Sequence, residues 1–240
     1  MSVPTDHFPS THATWIDAQL TIAEGGHAPA DAARQALRTH LMGRYYEALQ
    51  AYVSTGSLVS LGEPAEIVGE FFARAVDAPE FLRRWRESGM PLRRWMMNAM
   101  AFHCRGAIRD RDRSAGRRAE IEDLDSVAAA ANDASRAFDR AWAVALAGEA
   151  FGIAQADADS RGRPDDATVF RMHAVDGLTH RQIAQQLGIT EAQSAHAAKR
   201  VSDRMRQAVR DLLREEGVPA AGLEAAVAEV LALVEESSDG

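Results

Sequence analysis

The sequence predicts an all-α protein, and three observations carry that prediction. Apolar residues recur at spacings of three and four, and no stretch alternates between apolar and polar as a half-buried strand must. Gly and Pro fall where helices would stop, as at Gly56, Asp77-Ala78-Pro79, Gly89-Met90-Pro91, Gly162 with Pro164, and Gly217-Val218-Pro219. Finally, residues 175–213 hold two amphipathic segments on either side of one glycine, Gly188. Two helices joined by a short turn around Gly form a helix-turn-helix.

Each element follows from local pattern. Residues 1–30 contain three Pro and adjacent Gly25-Gly26, and read as a loose lead-in with a short helix near Trp15–Ala23. Asp31 opens a helix through Val53 that carries Leu37, Leu41, Tyr45, Leu49 and Tyr52 at helical spacing. Glu63-Pro64 begins the next helix, because Pro at the first turn has no N–H to leave unsatisfied. Ile67 and Phe71 face inward there, with Glu63, Glu66 and Glu70 on the other side. A short basic helix spans Glu80–Glu87. A long one spans Leu92–Arg113, its buried stripe running through Leu92, Trp95, Met96, Ala99, His103 and Ala107. The acidic, alanine-rich stretch that follows reads as an interdomain linker. Phe138–Ala154 is an apolar helix, Asp157–Asp166 a loop, Thr168–Val175 a short helix, and Leu223–Val234 a closing amphipathic helix. The expected domains are therefore 31–118 and 136–217, joined by a flexible linker over 119–135 and followed by a C-terminal helix and tail over 218–240.

The helix-turn-helix is the most informative stretch. Thr179 is placed to cap a helix over His180–Leu187, with Ile183, Ala184 and Leu187 on one face. Gly188 ends it in the left-handed conformation, which Gly adopts without steric cost. Ala184 is small enough to let the helices cross steeply, Ile189 pins the turn, and Thr190 caps the second helix. The physical use of this unit is to lay the second helix in a DNA major groove. Thr190, Glu191, Gln193, His196, Lys199, Arg200 and Arg204 are its candidate duplex contacts, since Gln reads adenine and Arg or Lys reads guanine or phosphate.

Formal net charge is −8, which at first argues against nucleic acid. The charge is segregated, however. Residues 83–118 hold eleven Arg against three acids, and residues 171–214 hold eight Arg or Lys against four. Two basic segments separated by acidic ones suggest two nucleic-acid contacts. No apolar run reaches membrane-spanning length and no leader is evident, so a soluble intracellular protein is expected. The single cysteine, Cys104, excludes a disulfide framework and a cysteine-based zinc site. No His pair has metal-ligand spacing, and there is no glycine-rich phosphate loop or nucleophile elbow. Glu66 and Glu70 sit one turn apart without an accompanying second motif, which fits a solvated or partner-binding face rather than a catalytic pair. No enzyme activity, cofactor or metal is expected.

Two segments resemble one family. The helix-turn-helix followed by a basic helix resembles region four of extracytoplasmic-function sigma factors of the bacterial sigma-70 class. GEPAEIVGEFFARAV, then PLRRWMMNAMAFHCRGAIRDRDR, resembles region two of the same family. FDRAWAVALAGEAF and VRDLLREEG are similar to a subgroup with an extra C-terminal helix. The resemblance implies a region-two helical bundle and a region-four helix-turn-helix. It implies a sigma factor that directs promoter recognition and transcription initiation, in the cytoplasm at the nucleoid. The implied partners are core RNA polymerase, promoter DNA and an anti-sigma factor or other regulatory protein. Region two implies that Glu63, Glu66, Ile67, Glu70, Phe71 and Phe72 meet a coiled coil of the polymerase largest subunit. It also implies that Trp95, Asn98, Phe102, Arg105, Arg109, Arg111 and Arg113 hold the melted downstream strand. The chain departs from the family pattern in Gly69 for a usual Gln, Ser194 for an apolar anchor, Ala195 and Ala197 for bases, and Phe102 for a polar residue. Two alternatives are a sigma-derived DNA-binding regulator without productive polymerase contact, and a helical protein-interaction module.

Overall fold

The computed structural model describes residues 13–25, 28–76, 80–114 and 124–238. Among them it is all-α, with no strand. The break expected at residues 77–79, residues 1–12 of the lead-in, and residues 119–123 of the linker lie outside the described residues.

The helices in order are α1 (Ala13–Glu24), α2 (Ala28–Val53), α3 (Pro64–Phe71), α4 (Glu80–Ser88) and α5 (Leu92–Ser114). Then come α6 (Leu124–Ser160), α7 (Asp165–Ala174), α8 (His180–Leu187), α9 (Glu191–Glu215) and α10 (Leu223–Ser238). A 3-10 turn, Gly56–Leu61, precedes α3, and α3 continues into one π-helical turn, Phe72–Val76. Pro64 stands at the first turn of α3, as its missing N–H allows. The lead-in is more ordered than its composition suggests, because α1 buries Ile16 and Leu20 in the core beside α2.

The largest difference from expectation is α6. The flexible link expected over 119–135 is helix from Leu124 onward, and the loop expected from Asp157 is helix as far as Ser160. The alanine run Ala128–Ala131 has the highest helix propensity of any residue type. No proline interrupts the chain until Pro164, so one 37-residue helix forms. Both α2 and α9 pack on α6, and one apolar core runs from Ile16 in α1 to Val230 in α10. Trp142, Phe138, Tyr45, Phe71 and Phe72 fill it.

A buried ion cluster crosses this core. Arg44 of α2 donates to both carboxylate oxygens of Glu149 on α6 (Nε to Oε2 3.1 Å, Nη2 to Oε1 2.8 Å) and to Glu216 after α9 (3.4 Å). Trp142 Nε1 also donates to Glu216 (3.1 Å), and the Leu92 amide donates to the Glu216 carbonyl (2.8 Å). The end of α9 is thereby tied to α2, α5 and α6 together.

Candidate nucleic-acid interface

The helix-turn-helix forms where its residues place it. Thr179 Oγ1 accepts from the Gln182 amide (3.3 Å), and Gln182 Oε1 accepts from the Thr179 amide (2.9 Å). The same reciprocal box recurs at α9. Thr190 Oγ1 accepts from the Gln193 amide (3.1 Å), and Gln193 Oε1 accepts from the Thr190 amide (2.8 Å). Each box satisfies orphan donors of a first turn. Gly188 sits at φ +67°, the left-handed conformation expected of the turn. Val169, Ile183, Ala197 and Ala198 form a small core of their own, with Met172, Leu178 and Ile189 around it. Leu187 departs from the expected inward face and is exposed. Leu187 is the last residue of the helix, directly before the left-handed turn at Gly188.

A histidine stack that sequence reasoning missed locks α7, α8 and α9 together. The His173 and His180 rings stack with centroids 4.1 Å apart. His173 Nδ1 lies 2.9 Å from the Leu178 carbonyl, and His180 Nδ1 lies 3.1 Å from Ser194 Oγ. Ser194 is fully buried. A hydroxyl thus anchors α9 where an apolar side chain was the expected anchor. The only sequence signal was two His flanking the turn that opens α8.

The candidate duplex contacts divide by environment. Glu191, Gln193, His196, Lys199 and Arg200 are exposed, as is Thr190, and Arg204 is half-buried. Thr190 and Gln193 are partly occupied by capping. Lys199 pairs with Asp203 one turn on (2.8 Å). Arg200 makes a two-point bond to Asp166 (2.8 and 2.7 Å), a carboxylate that is 7% exposed at the start of α7. Arg204 stands 3.8 Å from Asp157.

Helices α3 to α5 show a second surface. Glu63, Glu66 and Glu70 are exposed along α3, and Glu70 pairs with Arg74 (2.8 Å). Ile67, Phe71 and Phe72 are core residues rather than surface anchors, the two Phe being wholly buried. The amphipathic period of α3 turns Ile67 and Phe71 inward, and the π-helical turn that follows buries Phe72; Phe71 meets Phe72, Phe81 and His103 edge-on. On α5, Phe102 is 68% exposed. Trp95 is half-buried against Phe81, with its indole N–H buried and unpartnered among the described residues. Asn98, Arg105, Arg109, Arg111 and Arg113 are exposed. Arg111 donates to the Ser60 carbonyl (2.8 Å) and Arg113 to Asp110 (3.0 Å), whereas Arg105 and Arg109 meet backbone carbonyls of α5. A groove between α3, α4 and α5 is lined by Arg74, Phe81, Arg84, Trp95, Phe102 and His103. Arg117 and Arg118 lie outside the described residues.

Cys104 is buried on α5, and burial pushes its thiol up to about 11, so it is protonated and inert near neutral pH. Among the described residues no group of three or more His, Cys, Asp or Glu is placed to hold a metal ion. No described helix is long and apolar enough to cross a membrane.

Residues 163–205 match the family model of sigma-70, region 4. That span opens at the turn before α7 and closes within α9, and so takes in both capping boxes, Gly188 and the histidine stack. This segment resembles region 4 of sigma-70 factors. Region 4 is a transcription-factor domain, not an enzyme family, and it points to promoter recognition. No curated protein and no solved structure matches the chain.

Proposed function

We propose that the protein is a sigma factor of the extracytoplasmic-function type, which binds core RNA polymerase and directs it to promoters. The observation that carries this reading is region 4 itself: a capped helix-turn-helix with an exposed polar face on α9. Such a unit places α9 in the major groove, where Gln193, His196 and Lys199 address base edges or phosphates.

The region-two-like half supplies the complementary parts. Glu63, Glu66 and Glu70 form a carboxylate row suited to arginines on the polymerase. The buried Ile67, Phe71 and Phe72 act from behind, by fixing the register of that row. Phe102 presents an open aromatic face beside the groove on α5, flanked by Arg105 and Arg109. Bases of a melted strand stack on such faces while cations track the backbone. No bond is made or broken by the protein; it positions the polymerase and stabilises opened DNA.

The test is charge reversal on α3. Glu66→Lys with Glu70→Lys is expected to abolish co-elution with core polymerase and to leave duplex binding by the free protein intact. Undiminished co-elution would remove α3 from the polymerase interface and return the reading to a DNA-binding regulator.

A further inference from the structure

We propose that the phosphate grip of region 4 is carried by Arg171 and Arg181, and that Arg200 is a positioning residue that builds the domain. This rests on the duplex-binding reading of region 4 given above.

Arg200 is the cation that its place on α9 makes most attractive for DNA. Its guanidinium is nevertheless held at two points by Asp166, whose carboxylate is nearly buried. Turning Arg200 to a phosphate would strand that carboxylate without its cation, the costly way to break an ion pair. Arg204 faces Asp157. Both arginines line a pocket between α6, α7 and α9 that also holds Asp157 and Asp166. This pocket joins α9 to α7. Lys199 differs, because its pair with Asp203 is exposed and one turn apart, a contact worth only a few tenths of a kcal/mol. It exchanges readily for a phosphate.

Arg171 and Arg181 are among the cations of this segment free of such ties, as is Arg206 farther along α9. Arg171, on the last turn of α7, and Arg181, on the first turn of α8, are exposed, and neither meets a carboxylate among the described residues. The histidine stack fixes the end of α7, which carries Arg171, against the start of α8, which carries Arg181. The contact of His180 with Ser194 then fixes the start of α8 against α9. In a helix-turn-helix the first helix crosses the DNA backbone while the second enters the groove. Arg181 is therefore on the helix that meets phosphate, and its guanidinium reaches there without breaking an internal pair.

The experiment is the salt dependence of binding of the full chain to a mixed-sequence duplex, read by fluorescence anisotropy. Each phosphate neutralised contributes about −0.9 to the slope of log K against log salt. Arg171→Gln with Arg181→Gln is expected to make the slope shallower by roughly 2 with the unfolding temperature unchanged. Arg200→Gln is expected to lower the unfolding temperature and, measured below it, to keep the wild-type slope. A double variant with the wild-type slope overturns the proposal, as does an Arg200→Gln chain that stays fully stable and loses slope. A wild-type chain with no salt-dependent duplex binding would instead overturn the reading of region 4 itself, and is distinguishable from both.

Discussion

Arg44 offers the sharpest test of how the two halves are held together. Its side chain is 1% exposed and contacts three carboxylates, Glu149 at 2.8 Å, Glu216 at 3.4 Å and Glu215 at 3.7 Å. Glu216 is equally buried, and burial raises the pKa of its carboxyl even with Arg44 beside it. In Arg44→Met the aliphatic volume is kept and the cation is lost, so Glu216 remains as a buried charge beside the neutral donors Trp142 and Tyr45. Removing one partner of such a pair costs roughly 3–5 kcal/mol. In a chain of this size that is a drop of roughly 10 °C in unfolding temperature. Arg44→Met combined with Glu216→Gln keeps an acceptor for Trp142 and removes the orphan charge. It is expected to recover most of the loss, because an apolar replacement of a buried pair is often neutral. The pH dependence adds a signature. In Arg44→Met the Glu216 carboxyl rises further, so the penalty is present above the unfolded carboxylate pKa and fades as Glu216 takes up a proton. Lowering the pH should therefore narrow the gap to wild type. Denaturant unfolding of the four proteins of the cycle, at neutral and acid pH, is the assay. Single variants that cost under about 1 kcal/mol and add without coupling would refute the cluster as a buried tie.

Three further outcomes are expected. Gly188→Ala puts a Cβ at φ +67° and should destabilise region 4 by about 1–2 kcal/mol, with Gly188→Asn milder, as followed by hydrogen exchange at α8 and α9. Phe102→Ala should leave stability within about 0.5 kcal/mol, because the ring is exposed, and should weaken single-stranded oligonucleotide binding by about 1–3 kcal/mol in a fluorescence titration. His40 is held down to about 4, first by burial and then by Arg44. Its folded value lies below its unfolded value, so its contribution is complete above about pH 6.5 and is lost as pH falls toward 4. The loss amounts to about 3 kcal/mol, and His40→Gln should flatten that part of the stability profile.

Much of region 4 was legible in the sequence because its signals are local. Thr179, Gly188 and Thr190 act within one turn of themselves, and α8 spans the expected residues, His180–Leu187. The acidic row on α3 was equally readable from its period. The long-range features were not. Nothing local says that Arg200 faces Asp166, thirty-four residues earlier, or that Arg44 meets Glu216 across 172 residues. Those pairings exist only once α6 has brought α2, α7 and α9 together. The length of α6 was itself missed, because alanines mixed with acids read as a linker when helix propensity is set aside in favour of apolar period. The family resemblance gave Phe71 and Phe72 a partner-facing role, whereas the helical period turned Phe71 inward; both are buried.

In the proposed function, region 4 and the carboxylate row of α3 act together as a promoter-selecting subunit. Transcription in vitro with purified core polymerase on genomic DNA, with and without the protein, tests it most directly. Discrete new start sites are expected, which vanish with Glu66→Lys and Glu70→Lys and weaken with Lys199→Gln. Transcripts unchanged by the protein, under conditions where it binds duplex DNA, would contradict it.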